Sequence, residues 1–280
     1  MTNRMLAGRS ARVGFAIVGT LFIVALLAPW LAPHGPTLVD PAIGFAGPSE
    51  SHWLGTDNLG RDVLSRLVYG ARWSLGIVLV ATILIMSVGV AVGVTAGYAG
   101  GLVDDVLMRL VDTVLSVPTL LLGLAIVGTL GPGLGSLTIG LASIWWVGYA
   151  RVVRGLVLSL RERGFVDAAR ALGATDRRIV IVHIMPSILP SVAVLASLEM
   201  GELVLAISGL SFLGLGAQPP TPEWGAMLND GRSFFFTAPQ LMLYPGLVIT
   251  TAVLGFNLLG DGLRDALDPA DASRLKGFGA

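Results

Sequence analysis

Hydrophobic residues along this chain come in long unbroken runs rather than in short alternations or narrow stripes. No Asp, Glu, Lys or Arg occurs between Arg12 and Asp40, between Arg72 and Asp104, or between Asp112 and Arg151. Two further gaps separate Glu202 from Glu223 and Arg232 from Asp261. A charge-free apolar run of about 20 residues is what a helix needs to cross the hydrocarbon of a bilayer. Buried helices of soluble domains rarely stay uncharged for that long. The pattern predicts an all-α polytopic membrane protein with six transmembrane helices. They fall at about Val13–Pro33, Trp73–Tyr98, Val106–Gly128, Ser136–Leu158, Pro186 or Pro190 to Gly216, and Leu241–Leu259.

The connections differ in character. Arg4, Arg9 and Arg12 ahead of an apolar run resemble a secretory signal, but the run is long and lacks a small-x-small cleavage site, so a retained first helix is expected. In Gly60–Tyr69, Val63, Leu64, Leu67 and Val68 form one stripe, which predicts a short amphipathic helix lying on the membrane surface. Gly128-Thr-Leu-Gly-Pro-Gly-Leu-Gly135 predicts a tight turn. A Pro-rich loop, Gln218-Pro-Pro-Thr-Pro222, leads by way of Phe234–Phe236 to the sixth span. The division expected is an N-terminal helix with an extracytoplasmic amphipathic segment (1–70), a five-helix core (71–264) and a cytoplasmic tail (265–280).

Charge then sets the orientation. Of the eighteen cationic residues, Arg61, Arg66, Arg72 and Arg232 fall on one side and the remaining fourteen on the other. The positive-inside rule therefore places both termini in the cytoplasm. Charged residues make up 13% of the chain, against about 25% in soluble domains, and the net charge is zero, which argues against a nucleic-acid partner. With no cysteine, disulfide and thiolate chemistry are excluded. No phosphate-binding loop is present, and His34, His52 and His183 are scattered without metal-ligand spacing, so no metal site and no enzymatic activity are expected.

Four features could carry function. The cytoplasmic loop from about Ser159 to Ile184 predicts a short helix at about 163–174, with Phe165, Ala168, Ala169 and Leu172 on one face. Gly173 stands where a left-handed C-terminal cap belongs, and Thr175 or Asp176 can cap the next helix. Such a helix suits docking into a partner's groove, or a plain interfacial connector. Glu199 and Glu202, three apart in the fifth span, are costly in lipid and so are expected to face a polar path or a partner; Asn257 is a weaker candidate. Gly89, Gly93, Gly97 and Gly101 recur every four residues, the small-xxx-small spacing of close helix packing. Asp104, Asp105, Arg109 and Asp112 form a candidate ion-pair cluster at the cytoplasmic end of the third span.

Asp167-Ala-Ala-Arg-Ala-Leu-Gly173, followed by Ile184-Met-Pro-Ser-Ile-Leu-Pro190, resembles the EAA loop of ATP-binding-cassette importer permeases, with Asp167 in place of the usual Glu. His52-Trp-Leu-Gly-Thr-Asp-Asn-Leu-Gly-Arg-Asp62, Gly97-Tyr-Ala-Gly-Gly101, Leu210-Ser-Phe-Leu-Gly-Leu-Gly216, Pro219-Pro-Thr-Pro-Glu-Trp-Gly225 and the stretch Asn257–Pro269 are similar to the dipeptide, oligopeptide and nickel branch, and within it to the second, shorter permease. The resemblance implies the type I importer fold, multi-pass in a bacterial inner membrane. It implies a coupling helix made of Phe165, Val166, Asp167, Ala168, Ala169, Arg170, Ala171, Leu172, Gly173 and Ala174. It further implies a longer permease partner, two ATPase domains that bind the ATP and magnesium, an extracytoplasmic binding protein, and no cofactor in this chain. The expected cargo is a dipeptide or oligopeptide, the alternatives being nickel or another small solute, or ion-driven secondary transport through Glu199 and Glu202.

Overall fold

The computed structural model describes residues 8–267, so Arg4, Arg274, Lys276 and the tail beyond 267 lie outside the described residues. The regular structure of the described residues is helical, with a long loop at 32–62 that holds a 3-10 turn (Pro41–Ile43) and one isolated bridge between Thr56 and Asp62. Its elements are α1 (Arg9–Leu26), α2 (Ala28–Leu31), α3 (Val63–Ala99), α4 (Gly101–Leu115), α5 (Thr119–Leu130) and α6 (Leu134–Arg161). There follow α7 (Gly164–Ala171), α8 (Asp176–Arg178), a π-helical turn (Ile179–Ile184), α9 (Met185–Phe212), α10 (Trp224–Arg232) and α11 (Gln240–Leu267). Five stretches are long and apolar enough to cross a membrane, and a bent helix pair supplies the sixth.

Four local departures from the sequence reading have identifiable causes. The surface helix expected at Gly60–Tyr69 is instead the first part of α3, which runs unbroken through residue 70. Its polar flank is not solvated: Arg66 is 3% exposed and paired, so the apolar stripe was a poor guide to which face is covered. The third span is broken into α4 and α5, bent by 85°. Pro118 stands at the break, where it has no N–H to give a continuing helix and disfavours helical backbone at Val117. The fifth span does not start at Pro186 or Pro190 but runs from Asp176 to Phe212. Ahead of Pro186, whose missing N–H cannot satisfy Val182, the helix widens into a π turn, and Met185 N–H donates to Val180 O. The loop before the last span contains a helix, α10, that the run of prolines concealed.

Close backbone contact organises the bundle. A methyl group on Gly89, Gly93 or Gly97 of α3 would collide with Tyr149, with Ala150 and Val153, or with Arg154 and Val157 of α6. Gly101 takes no part: it opens α4 with φ of 55°, and nothing lies within 4 Å of its Cβ position. A second seam holds α1 on α11, where Gly14 meets the backbone of Leu258 and Leu259 and Gly262 meets Ala11. Between these seams sits the core, including Leu75, Val78, Ile85, Leu141, Leu203, Ile207 and Phe256.

Replacing Gly93 by Leu should therefore destabilise the fold by about 1–3 kcal/mol, the usual effect of overpacking. Gly19→Leu, where nothing lies within 4 Å of the Cβ position, should be nearly neutral. Thermal unfolding in detergent reads the difference; equal midpoints would refute the seam's importance.

Candidate functional site

At the cytoplasmic end, α7 is held by one side chain and open on the other face. Val166 is fully buried and joins the core with Ile179 and Ile184 of the π turn. Phe165, beside the His183 ring at 6.4 Å, is 41% exposed, and Leu172 is 88% exposed. Ala168 and Ala171 are exposed and Ala169 and Ala174 half-buried, while Asp167 and Arg170 form an exposed ion pair at 3.4 Å. Gly173 ends the helix with φ of 81°, and the Gly173 and Ala174 N–H groups donate to Arg170 O and Ala169 O. Left-handed backbone of this kind is adopted readily by Gly and at a cost of about 1–2 kcal/mol by most other residues. Thr175, rather than Asp176, caps α8 by accepting the Arg178 N–H. Asp176 instead accepts a hydrogen bond from the Tyr98 hydroxyl at 2.6 Å, tying the start of the fifth span to the end of α3.

The carboxylate cluster expected on α4 finds its partners on α6. Arg154 grips Asp104 with two hydrogen bonds, one of them 2.6 Å, and Arg151 pairs with Asp112. Arg161 donates to the carbonyls of Gly97 and Tyr98 at 3.3 and 2.9 Å, satisfying groups that the end of α3 leaves open.

In the membrane region, Glu199 and Glu202 both turn toward α6 but occupy different settings. Glu199 is half-buried, with Oε1 3.6 Å from the Cβ position of Gly148 and Oε2 without a hydrogen-bond partner. Glu202 is exposed and lines a cavity of about 620 Å³ between α5, α6 and α9. Its other walls are apolar, among them Leu120, Leu124, Trp145, Leu205 and Leu213. Asn257 is exposed on α11 with Oδ1 3.1 Å from the Cβ position of Gly201, so it sits against α9 and away from that cavity's walls.

A family model described as "Binding-protein-dependent transport system inner membrane component" matches residues 89–270. The chain belongs to this family. The N-terminal segment, residues 2–48, matches "N-terminal TM domain of oligopeptide transport permease C". Among its relatives, a nickel transport system permease protein of Escherichia coli is 44% identical over 268 residues, covering 95% of this chain and 97% of that one. A dipeptide transport system permease protein of Alkalihalophilus pseudofirmus is 44% identical over 259 residues, covering 92% and 85%. A glutathione transport system permease protein of Pectobacterium atrosepticum is 41% identical over 267 residues, covering 93% and 89%. The fold is like that of the inward-facing MetNI methionine ABC transporter, with a TM-score of 0.55 and 20% identity over 73% of this chain and 98% of that one. The protein is thus a permease subunit of an ATP-binding-cassette importer, multi-pass in the bacterial inner membrane. Permeases of this family work with a second permease, ATPases and a binding protein.

The permease also holds polar groups at its outer end that the sequence reading did not single out. Arg61 contacts Asp57 at 2.6 Å and Asp230 at 3.2 Å, and Arg66 contacts the same two carboxylates at 3.3 and 2.9 Å. Glu223, fully buried, accepts from the Gly225 and Ala226 N–H groups and from the Ser74 hydroxyl, fixing the start of α10. Trp224 then lies over Gly70 and donates from its indole to Leu67 O at 3.1 Å. The histidines, read as scattered, are not all so: His34 and His52 stack with centroids 4.6 Å apart beside Asp62, while His183 stays at the other end. Sequence spacing concealed this because the three groups come from separate turns of the extracytoplasmic loop.

Removing Asp57 would leave two buried guanidinium groups to share the single carboxylate of Asp230. Asp57→Ala should cost about 3–5 kcal/mol, as breaking a buried pair does. A thermal midpoint unchanged from the parent would contradict the network.

Proposed function

We propose that this permease forms half of the gate of an ATP-driven importer of short peptides, with Phe165–Ala174 receiving the motion of an ATPase partner. The observation that supports the coupling role is the one-sided burial of α7. Val166 anchors the helix to the start of the fifth span, while Phe165, Ala168 and Leu172 present an uncovered face to the cytoplasm. A partner cleft that covered this face would push directly on the helix running from Asp176 to Phe212. In this reading ATP and magnesium belong to two partner ATPase domains and this chain carries no cofactor. A longer second permease would close the translocation path, and an extracytoplasmic binding protein would deliver the cargo.

The cavity beside Glu202 supports the peptide assignment. Its volume falls within the range of about 300–1,000 Å³ usual for small-molecule sites. Apolar walls with one carboxylate suit a cargo that carries a cationic amino terminus and apolar side chains. In alternating access, that carboxylate would face the path shared with the second permease, and Glu199 would sit one turn deeper. Nickel is the second reading, favoured by the full-length similarity to a nickel transport permease. Membership of an ATP-binding-cassette importer family takes the place of the ion-driven alternative.

Two measurements test this. In proteoliposomes containing the complete importer, ATP-dependent uptake of a labelled dipeptide is expected, and Glu202→Gln should lower it about tenfold, the equivalent of 1.4 kcal/mol. Uptake of nickel without uptake of any peptide would transfer the assignment to the second reading. At the coupling helix, Gly173→Val should largely suppress uptake with membrane insertion intact, whereas Gly173→Asn, which tolerates left-handed backbone, should retain it. Normal uptake by the valine variant would count against the coupling role.

A further inference from the structure

Two imidazoles and one carboxylate converge at the outer end of the permease, and nothing in the proposed transport cycle uses them. His34 follows α2, His52 lies in the loop ahead of α3, and Asp62 caps α3. His52 Nδ1 lies 2.9 Å and His34 Nδ1 3.9 Å from the same oxygen, Asp62 Oδ1. The potential ligand atoms of all three lie within 4.8 Å of one another. A tetrahedral ion with bonds of about 2.0–2.1 Å holds its donor atoms roughly 3.3 Å apart, a value between the two measured separations. Both measured separations lie within about 0.6 Å of that value, and the third, between the two imidazoles, does not exceed 4.8 Å.

The surroundings favour such a site over a chance cluster. Asp62 Oδ2 is committed elsewhere, accepting the Ser65 N–H at 2.7 Å as the cap of α3. That bond orients the carboxylate and leaves Oδ1 directed at the imidazoles, the kind of outer support that metal ligands receive. The His34 N–H donates to Ser65 Oγ at 3.0 Å, so residue 34 is held against the same turn. His34 Nδ1 is itself shielded from solvent and has no hydrogen-bond partner. Asp62 is buried while the two histidines are half-buried, which leaves a way in from the extracytoplasmic side. The neighbouring cations, Arg61 and Arg66, are engaged by Asp57 and Asp230 and do not compete.

We propose that His34, His52 and Asp62 form a binding site for a divalent transition-metal ion on the extracytoplasmic face. Two imidazoles and one carboxylate match borderline ions such as zinc or nickel, whereas calcium and magnesium prefer all-oxygen shells. The ion would take the place of the direct contact between His52 and Asp62 and would clamp the segment after α2 to the start of α3, with remaining positions filled by water. The site lies at the outer end, away from the cavity beside Glu202, and does not depend on which cargo the importer carries.

The test uses the full chain, purified in detergent with any affinity tag removed, and titrated with zinc, nickel and cobalt. Expected are one ion per chain by calorimetry, visible absorption bands of low-symmetry cobalt, and a rise in thermal midpoint with zinc. His34→Phe keeps the ring stack, and Asp62→Asn keeps a helix-capping side chain. Each should weaken binding at least about tenfold and remove the cobalt bands while the metal-free thermal midpoint stays near the parent's. Binding of equal strength in both variants, or no binding by the parent, would overturn the proposal.

Discussion

The close approach of α3 and α6 is the contact on which the rest of this permease depends. Inside a bilayer, apolar side chains gain nothing by leaving lipid for one another, so helices are held by dispersion contact and by polar groups. Gly89, Gly93 and Gly97 remove the side chains that would keep the two backbones apart, and Tyr149, Ala150, Val153 and Val157 fill the seam. Its cytoplasmic end is closed by Arg161 on the last carbonyls of α3. With α6 fixed in this way, Trp145 is placed in the wall of the cavity and Gly148 beside Glu199.

Polar groups at the two ends of the bundle do different things. At the outer end, Asp57, Arg61, Arg66 and Asp230 form a network, buried except at the partly exposed Asp230, that locks the loop before α3 onto α10. Ion pairs of this kind add little net stability over an apolar replacement, because the charges must shed water. They do fix geometry, since any slip of α10 along α3 would cost both guanidinium groups their contacts with Asp230. At the cytoplasmic end, Asp112, Arg151, Asp167 and Arg170 remain in water, where pairs of this kind contribute little. The outer end is thus built for register, and the inner end leaves one face of α7 uncovered.

Legibility in the sequence followed the range of the interaction. Gly173 could be read as a left-handed cap because a helix end and a Gly occupy adjacent positions, and its φ of 81° is decided there. The contacts of Asp104 and Asp112 could not, since their partners on α6 lie about 40–50 residues away and the nearer Arg109 was an equally plausible choice. Glu199 and Glu202 stand out in the sequence as polar groups in an apolar run. Their separate settings, one against Gly148 and one in an open cavity, depend on where α6 passes.

The sequence by itself determined that this chain lives in a membrane and which side faces the cytoplasm, and it marked a short cytoplasmic helix, expected at about 163–174 and found at Gly164–Ala171. Those properties come from the free energy of moving contiguous residues between water and lipid, and contiguity is visible in a linear string. Only the tertiary structure decided that α3 begins at Val63, that Pro118 bends one span by 85°, and that His34, His52 and Asp62 meet. Each of these depends on which distant backbone comes within a few ångströms, and three-dimensional packing, not local pattern, sets that distance.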